Sequence, residues 1–298
     1  MKQLFISLLL SVLFGNCIIA QTNSVFSDSI STFEILPSIT DPRISTANTP
    51  HFVAYDSNMK QGKLLLFLSG TNGFATKGPK KLFFTAIQQG YRVINLSYIN
   101  NVAIAQICRG EVLKNNINCA EEFRQKRVFG NNSFALIADK PQDAIVNRLT
   151  KLLVYLTKND KDGNWDLYLD GGNPKWEEIA VIGQSQGGGM ATFIAKQKLV
   201  YKAISFSGGW DYSDSDTKEI APWYFKKSIT PVNRYYGTYH VREPASKTIN
   251  QSYEAMDIPK DHIYAFDLEV PKGRKAHGDP VGNIAYLKQW IEILGNGN

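Results

Sequence analysis

The sequence predicts an α/β protein: a mostly parallel central sheet with helices on both faces and no large cap domain. Three observations lead there. Short continuous apolar runs, such as Leu64-Leu65-Leu66-Phe67-Leu68 and Ile179-Ala180-Val181-Ile182, have the length and composition of strands buried on both faces. Helix-period segments alternate with those runs along the chain, which is the pattern of parallel strands joined by right-handed crossovers. Finally, Gly183-Gln184-Ser185-Gln186-Gly187 makes a sharp turn between a strand and a small-residue helix predicted over 188–200.

Taken in order, Met1-Lys2 is followed by an apolar run from Leu4 to Phe14 and by Ala20-Gln21. One positive charge, a short apolar segment and a small residue describe a secretory signal peptide over residues 1–20, cut after Ala20. The run is too short to span a membrane comfortably, so stable insertion after its removal is not expected. Cys17 raises the alternative of a lipoprotein signal, but Asn16 is a poor residue before a lipidated cysteine. Residues 21–50 are rich in Ser, Thr, Asp, Asn and Pro and read as an extension, with a strand around 33–36. Residues 51–298 supply the α/β domain, large enough for a full core.

Within that domain, 51–55, 63–68, 91–96, 179–182, 202–207, 234–239 and 262–268 read as strands. Residues 79–89 form a helix stopped by Gly90. The helix over 141–158 begins at Pro141 and places Ile145, Leu149, Leu152, Leu153 and Leu156 on one face. Further helices are expected over 246–256 and 284–294. Residues 97–140 are irregular, and their charged segment 121–127 reads as a solvated helix. Residues 159–165 superficially resemble a calcium loop, but Lys158 and Leu169 would fall at positions that need oxygen ligands. They read as a turn.

The 33 basic and 27 acidic residues give a net charge of +6, dispersed along the chain. No basic run marks a nucleic-acid partner. Two cysteines remain beyond the leader, Cys108 and Cys119. In an exported protein they are expected to pair, and two cysteines without a histidine cluster do not make a zinc site.

A serine hydroxyl is a useful nucleophile only when held at an exposed apex beside a base. The Gly183–Gly187 turn provides that apex for Ser185, because side chains two residues before and after would collide. With a strand ending in Ser69-Gly70-Thr71, then this turn, then an acid and a late histidine, the chain resembles the α/β-hydrolase superfamily over nearly all of its length after residue 20. It resembles more narrowly a group of exported bacterial hydrolases through Trp176, Pro222-Trp223 and a strand ending in His240-Val241-Arg242-Glu243.

The resemblance implies the order nucleophile, acid, histidine. Of the four histidines, His51 precedes the turn and His262 begins a strand, whereas His277 lies in a loop after the last strand. His277 is therefore the expected base. Glu243, after the strand ending at Tyr239, is the expected acid, although the family usually has aspartate there; Asp211, after an earlier strand, is its rival. His240 is an auxiliary group or a packed histidine. The oxyanion hole would use the backbone amides of Gln186 and Thr71. These features imply an exported serine hydrolase, first a carboxylic ester hydrolase acting on a small-molecule or polymer ester, with no metal or organic cofactor. A serine peptidase or amidase, and an inactive hydrolase-fold binding protein, are the alternatives.

Overall fold

The computed structural model describes residues 29–59, 62–130 and 134–298. The expected signal peptide and its cleavage site lie outside the described residues. Eight strands form one sheet: β1 (Ile30–Ile35), β2 (His51–Asp56), β3 (Leu64–Leu68), β4 (Arg92–Leu96), β5 (Ile179–Gln184), β6 (Lys202–Phe206), β7 (Tyr235–His240) and β8 (Ile263–Phe266). Their spatial order is β1-β2-β4-β3-β5-β6-β7-β8. β2 pairs antiparallel with both β1 and β4. Every other neighbouring pair is parallel. Residues 30–35, within the segment read as an extension, thus add an edge strand.

The apolar runs become the middle of the sheet because a strand there has no water on either face. All of β3 is buried, and its side chains alternate between two cores. Leu64, Leu66 and Leu68 face one core, which includes Leu149, Leu152 and Leu153 of α3 (Ile145–Asn159), Phe193 and Ile194 of α4 (Gln186–Gln197), and Ile249 and Tyr253 of α5 (Ser246–Ala255). This core also takes Phe123 of α2 (Cys119–Phe129). Leu65 and Phe67 face the other, built from Leu82, Phe83 and Ile87 of α1 (Lys80–Gln88) and Trp290, Ile293 and Leu294 of α6 (Leu287–Leu294). Truncating Leu66, which is 0% exposed, to alanine would cost about 2–5 kcal/mol in lost transfer energy and cavity formation.

Residues 97–140 are less irregular than expected. Two short helices, Ile104–Ile107 and Gly110–Asn115, lead into α2, and a disulfide joins Cys108 to Cys119 at a Cα–Cα distance of 5.6 Å. α2 is not the solvated helix predicted for 121–127. Arg124 and Arg127 are 2% and 1% exposed, and they pair with Asp211 and Asp139 at 2.7 and 2.8 Å. Each of these charges is balanced by an ion pair. The connection from β6 to β7 contains only the small hairpin Tyr212–Asp214/Glu219–Ile220 and short turns, so no large cap stands between them. Among the described residues, no helix is long and apolar enough to cross a membrane.

Candidate active site

The C-terminal ends of the parallel strands gather the site, as open α/β sheets generally do. β5 runs directly into Ser185, and α4 begins at the next residue. Ser185 has φ 57° and ψ −125°, a strained conformation for a residue with a side chain. The strain is held from both sides. The Ser185 amide donates to Phe206 O of β6 at 2.9 Å, and its carbonyl accepts the Gly189 amide at 3.2 Å. The flanking glycines are required by contact distance. A Cβ on Gly183 would stand 2.2 Å from the Gly187 carbonyl carbon, and one on Gly187 would stand 2.0 Å from Leu68 O.

His277 and Glu243 meet. Glu243 follows β7 in a turn whose His240 amide donates to Glu243 Oε1 at 2.7 Å, and Ser207 Oγ donates to the same oxygen at 2.6 Å. The second oxygen, Oε2, lies 2.6 Å from His277 Nδ1. An ionised carboxylate only accepts, so Nδ1 carries the hydrogen and Nε2 is left as the basic nitrogen. The Glu243 side chain is 1% exposed, whereas that of His277 is 35% exposed, an acid inside and an imidazole at the opening. The loop carrying His277 is tied back to the turn: Gln184 Nε2 donates to His277 O at 3.3 Å, and Trp210 packs edge-on against the imidazole at 5.5 Å.

Asp211 is occupied elsewhere. Arg124 Nε donates to its Oδ2 at 2.7 Å, Arg124 Nη2 to its Oδ1 at 2.9 Å, and Trp223 Nε1 to Oδ2 at 2.9 Å. Burial opposes the Arg124 charge, but Asp211 more than offsets that and holds the guanidinium pKa above its usual value. His240 is enclosed: its Nδ1 accepts the Arg242 amide at 3.1 Å, so Nε2 donates to Leu268 O at 2.9 Å. His262 Nδ1 lies 3.0 Å from Tyr235 O, and its ring stacks on Tyr236.

The turn after β3 is braced toward the same place. Tyr98 donates to Ser69 O at 2.6 Å, and Asn100 Nδ2 donates to Gly70 O and Gly73 O at 2.9 and 2.8 Å. Gln186 Nε2 in turn donates to Asn100 O at 3.1 Å, so the two segments named for the oxyanion hole share one brace. Thr71, Ser185 and Gln186 line one pocket of about 70 Å³, together with Ile104, Trp210 and Tyr212. Among the described residues, no group of three or more His, Cys, Asp or Glu is placed to hold a metal ion.

Sequence reasoning named Ser185, His277 and Glu243 but missed Ser207 and Trp210. Both belong to the Ser207-Gly208-Gly209-Trp210 turn after β6, and Ser207 has φ 48°. A glycine pair at the C-terminal end of a parallel strand was the available signal.

No protein-family model matches the chain, and no curated protein matches its sequence. Some solved structures resemble it at low similarity. An S-formylglutathione hydrolase from Staphylococcus aureus is 13% identical, with 89% of this chain and 97% of that chain covered and a TM-score of 0.48. An acylaminoacyl peptidase from Pyrococcus horikoshii is 12% identical over 89% of this chain and 41% of that chain, TM-score 0.48. A dienelactone hydrolase from Anabaena variabilis is 12% identical over 89% of this chain and 98% of that chain, TM-score 0.45. The α/β-hydrolase architecture assigned here rests on the strand order and on the strand–turn–helix around Ser185.

Proposed function

We propose that this protein is an exported serine hydrolase, and specifically a carboxylic ester hydrolase that works through an acyl-enzyme on Ser185. The observation that carries the reading is the 2.6 Å pair between buried Glu243 and His277, on a loop tied by Gln184 to the strained turn of Ser185. In this reading His277 Nε2 removes the Ser185 proton as Oγ bonds to the ester carbonyl carbon. The Gln186 and Thr71 amides stabilise the resulting oxyanion. His277 then gives its proton to the leaving alcohol as the acyl–oxygen bond breaks. Water, deprotonated by His277, attacks the acyl-enzyme and frees the acid. Glu243 holds the tautomer and stabilises the imidazolium. No cofactor enters these steps.

Export is supported by the leader-like residues 1–20 and by the Cys108–Cys119 pair, which suits an oxidising compartment. The test is labelling with a fluorophosphonate probe followed by a panel of esters and peptide amides. The expected result is one adduct, on Ser185, with turnover of esters. An unlabelled Ser185 in the folded protein refutes the nucleophile, and turnover confined to amides refutes the ester assignment.

A further inference from the structure

We infer that the site is split by size: a short acyl group occupies the small pocket beside Ser185, and a bulky alcohol carrying a flat ring lies in the larger groove on the His277 side. This rests on the ester-hydrolase reading above.

Two cavities meet at Thr71. The first, about 70 Å³, is lined by Ser185 and Gln186. The second, about 460 Å³ and open to solvent, is lined by Asn72, Phe74, Lys77, Gln184 and Gly278. Chemistry assigns the sides. The acyl carbon becomes bonded to Ser185 Oγ, so the acyl chain must occupy the cavity that Ser185 lines. The leaving oxygen takes its proton from His277, so the alcohol must pass the loop that carries it. Gly278 follows His277 in that loop, and Gln184 holds the His277 carbonyl. The overall reaction balances with water alone: the acyl–oxygen bond breaks, hydroxide goes to the acid and a proton to the alcohol.

Part of the acyl pocket's wall is rigid and charged. At about 70 Å³ against about 460 Å³, the pocket is much the smaller of the two cavities. Arg124 and Asp211 line it, with side chains 2% and 7% exposed and bonded to each other through two contacts. Arg124 cannot withdraw toward α4, where its guanidinium already lies against Gly189; a Cβ there would be 2.3 Å from Nη2. Cys108 closes another side and is fixed to α2 by its disulfide. A long alkyl chain would have to displace a buried ion pair. The groove has the opposite character. Its Phe74 is 49% exposed, a large ring left at the wall with Lys77 Nζ 5.3 Å from its centroid. An exposed aromatic of this kind offers its surface to another ring.

The experiment compares acetyl, butanoyl and octanoyl esters of 4-nitrophenol, and phenyl acetate with ethyl acetate, on the wild type, Ile104→Ala and Phe74→Ala. The expected kcat/KM for the acetyl ester exceeds that for the octanoyl ester by about tenfold or more, and Ile104→Ala, which enlarges the pocket, narrows the ratio. Phe74→Ala raises KM for phenyl acetate by about threefold to tenfold and leaves ethyl acetate unchanged. Turnover that favours the octanoyl ester overturns the acyl assignment. Equal effects of Phe74→Ala on both acetates overturn the leaving-group assignment. Absence of all turnover, with Ser185 unlabelled by a fluorophosphonate, overturns the hydrolase reading itself and the inference with it.

Discussion

Replacing Glu243 by glutamine separates the two carboxylates that sequence order left open, and its effect follows from the hydrogen bonds. Glu243 Oε1 accepts from the His240 amide and from Ser207 Oγ, at 2.7 and 2.6 Å. The backbone donor cannot reverse, so in Glu243→Gln the amide oxygen takes the Oε1 position. The NH₂ then faces His277 Nδ1. Two donors cannot share that contact, so Nδ1 becomes the acceptor and the imidazole proton moves to Nε2, the nitrogen that must receive the Ser185 proton. A base locked in the wrong tautomer costs about 10⁴ in turnover, or about 5 kcal/mol of transition-state stabilisation at 1.36 kcal/mol per decade. The fold loses little, about 1 kcal/mol, because the two donors to Oε1 and the contact with His277 are all kept. Asp211→Asn has the opposite profile. It strips the counter-charge from Arg124, a lesion of about 3–5 kcal/mol in stability, while the Glu243–His277 pair stays intact. The assay is kcat/KM on 4-nitrophenyl acetate beside thermal melts and circular dichroism for both variants. A folded Glu243→Gln protein with near-wild-type turnover refutes the reasoning, as does a folded Asp211→Asn protein that alone loses 10⁴.

Ser185→Ala should fold and lose hydrolysis by roughly 10⁴ or more, and His277→Ala should match it in the same ester assay; if His240→Ala is inactive while His277→Ala works, the base is misassigned. Thiol alkylation with intact-mass analysis should find Cys108 and Cys119 unreactive before reduction, and reduction should destabilise by about 3 kcal/mol on the chain-entropy model, read as a lower Tm. His51 is wholly buried, and that burial, aided by the nearby Arg148 charge, lowers its pKa to about 3. The folded protein keeps His51 neutral while the unfolded chain takes up a proton near its ordinary value of 6.5. This group therefore has no effect well above pH 6.5, and stability falls as the pH drops from there toward 3. The slope is at most about 1.4 kcal/mol per pH unit. Urea unfolding at pH 7 and 4.5 should show His51→Asn, which retains an acceptor for the Ser97 amide, losing less over that range than the wild type; equal losses would remove His51 as the cause.

The parts of this protein that were legible in its sequence are those fixed by neighbours along the chain. β3 and β5 were visible because strands buried on both faces must be apolar throughout, and α3 because its five buried apolar residues recur at helical spacing. The Ser185 turn was visible because the glycines that permit it lie within two residues of the serine. Glu243 and His277 were reachable only through the order of motifs, and sequence alone did not exclude Asp211. What excludes it as the partner of His277 is a contact 87 positions away, with Arg124.

That contact also explains why 121–127 was misread. A run of Glu, Arg and Lys looks solvated when no partner is in view, since unpaired charges are not buried. Here each buried cation has a partner that the local pattern does not mark. Arg124 meets Asp211, Arg127 meets Asp139 and Val102 O, and Lys126 Nζ donates to the carbonyls of Phe134 and Ile137 at 2.6 and 2.8 Å. Both acceptors for Lys126 are backbone, which any sequence could supply. The same tertiary pairing turns a helix that resembles surface into a wall of the Ser185 pocket, because Arg124 reaches that wall only when Asp211 is there to neutralise it. A charged helix becomes part of a pocket through its partners, so its role is fixed at the level of the fold and not of the segment.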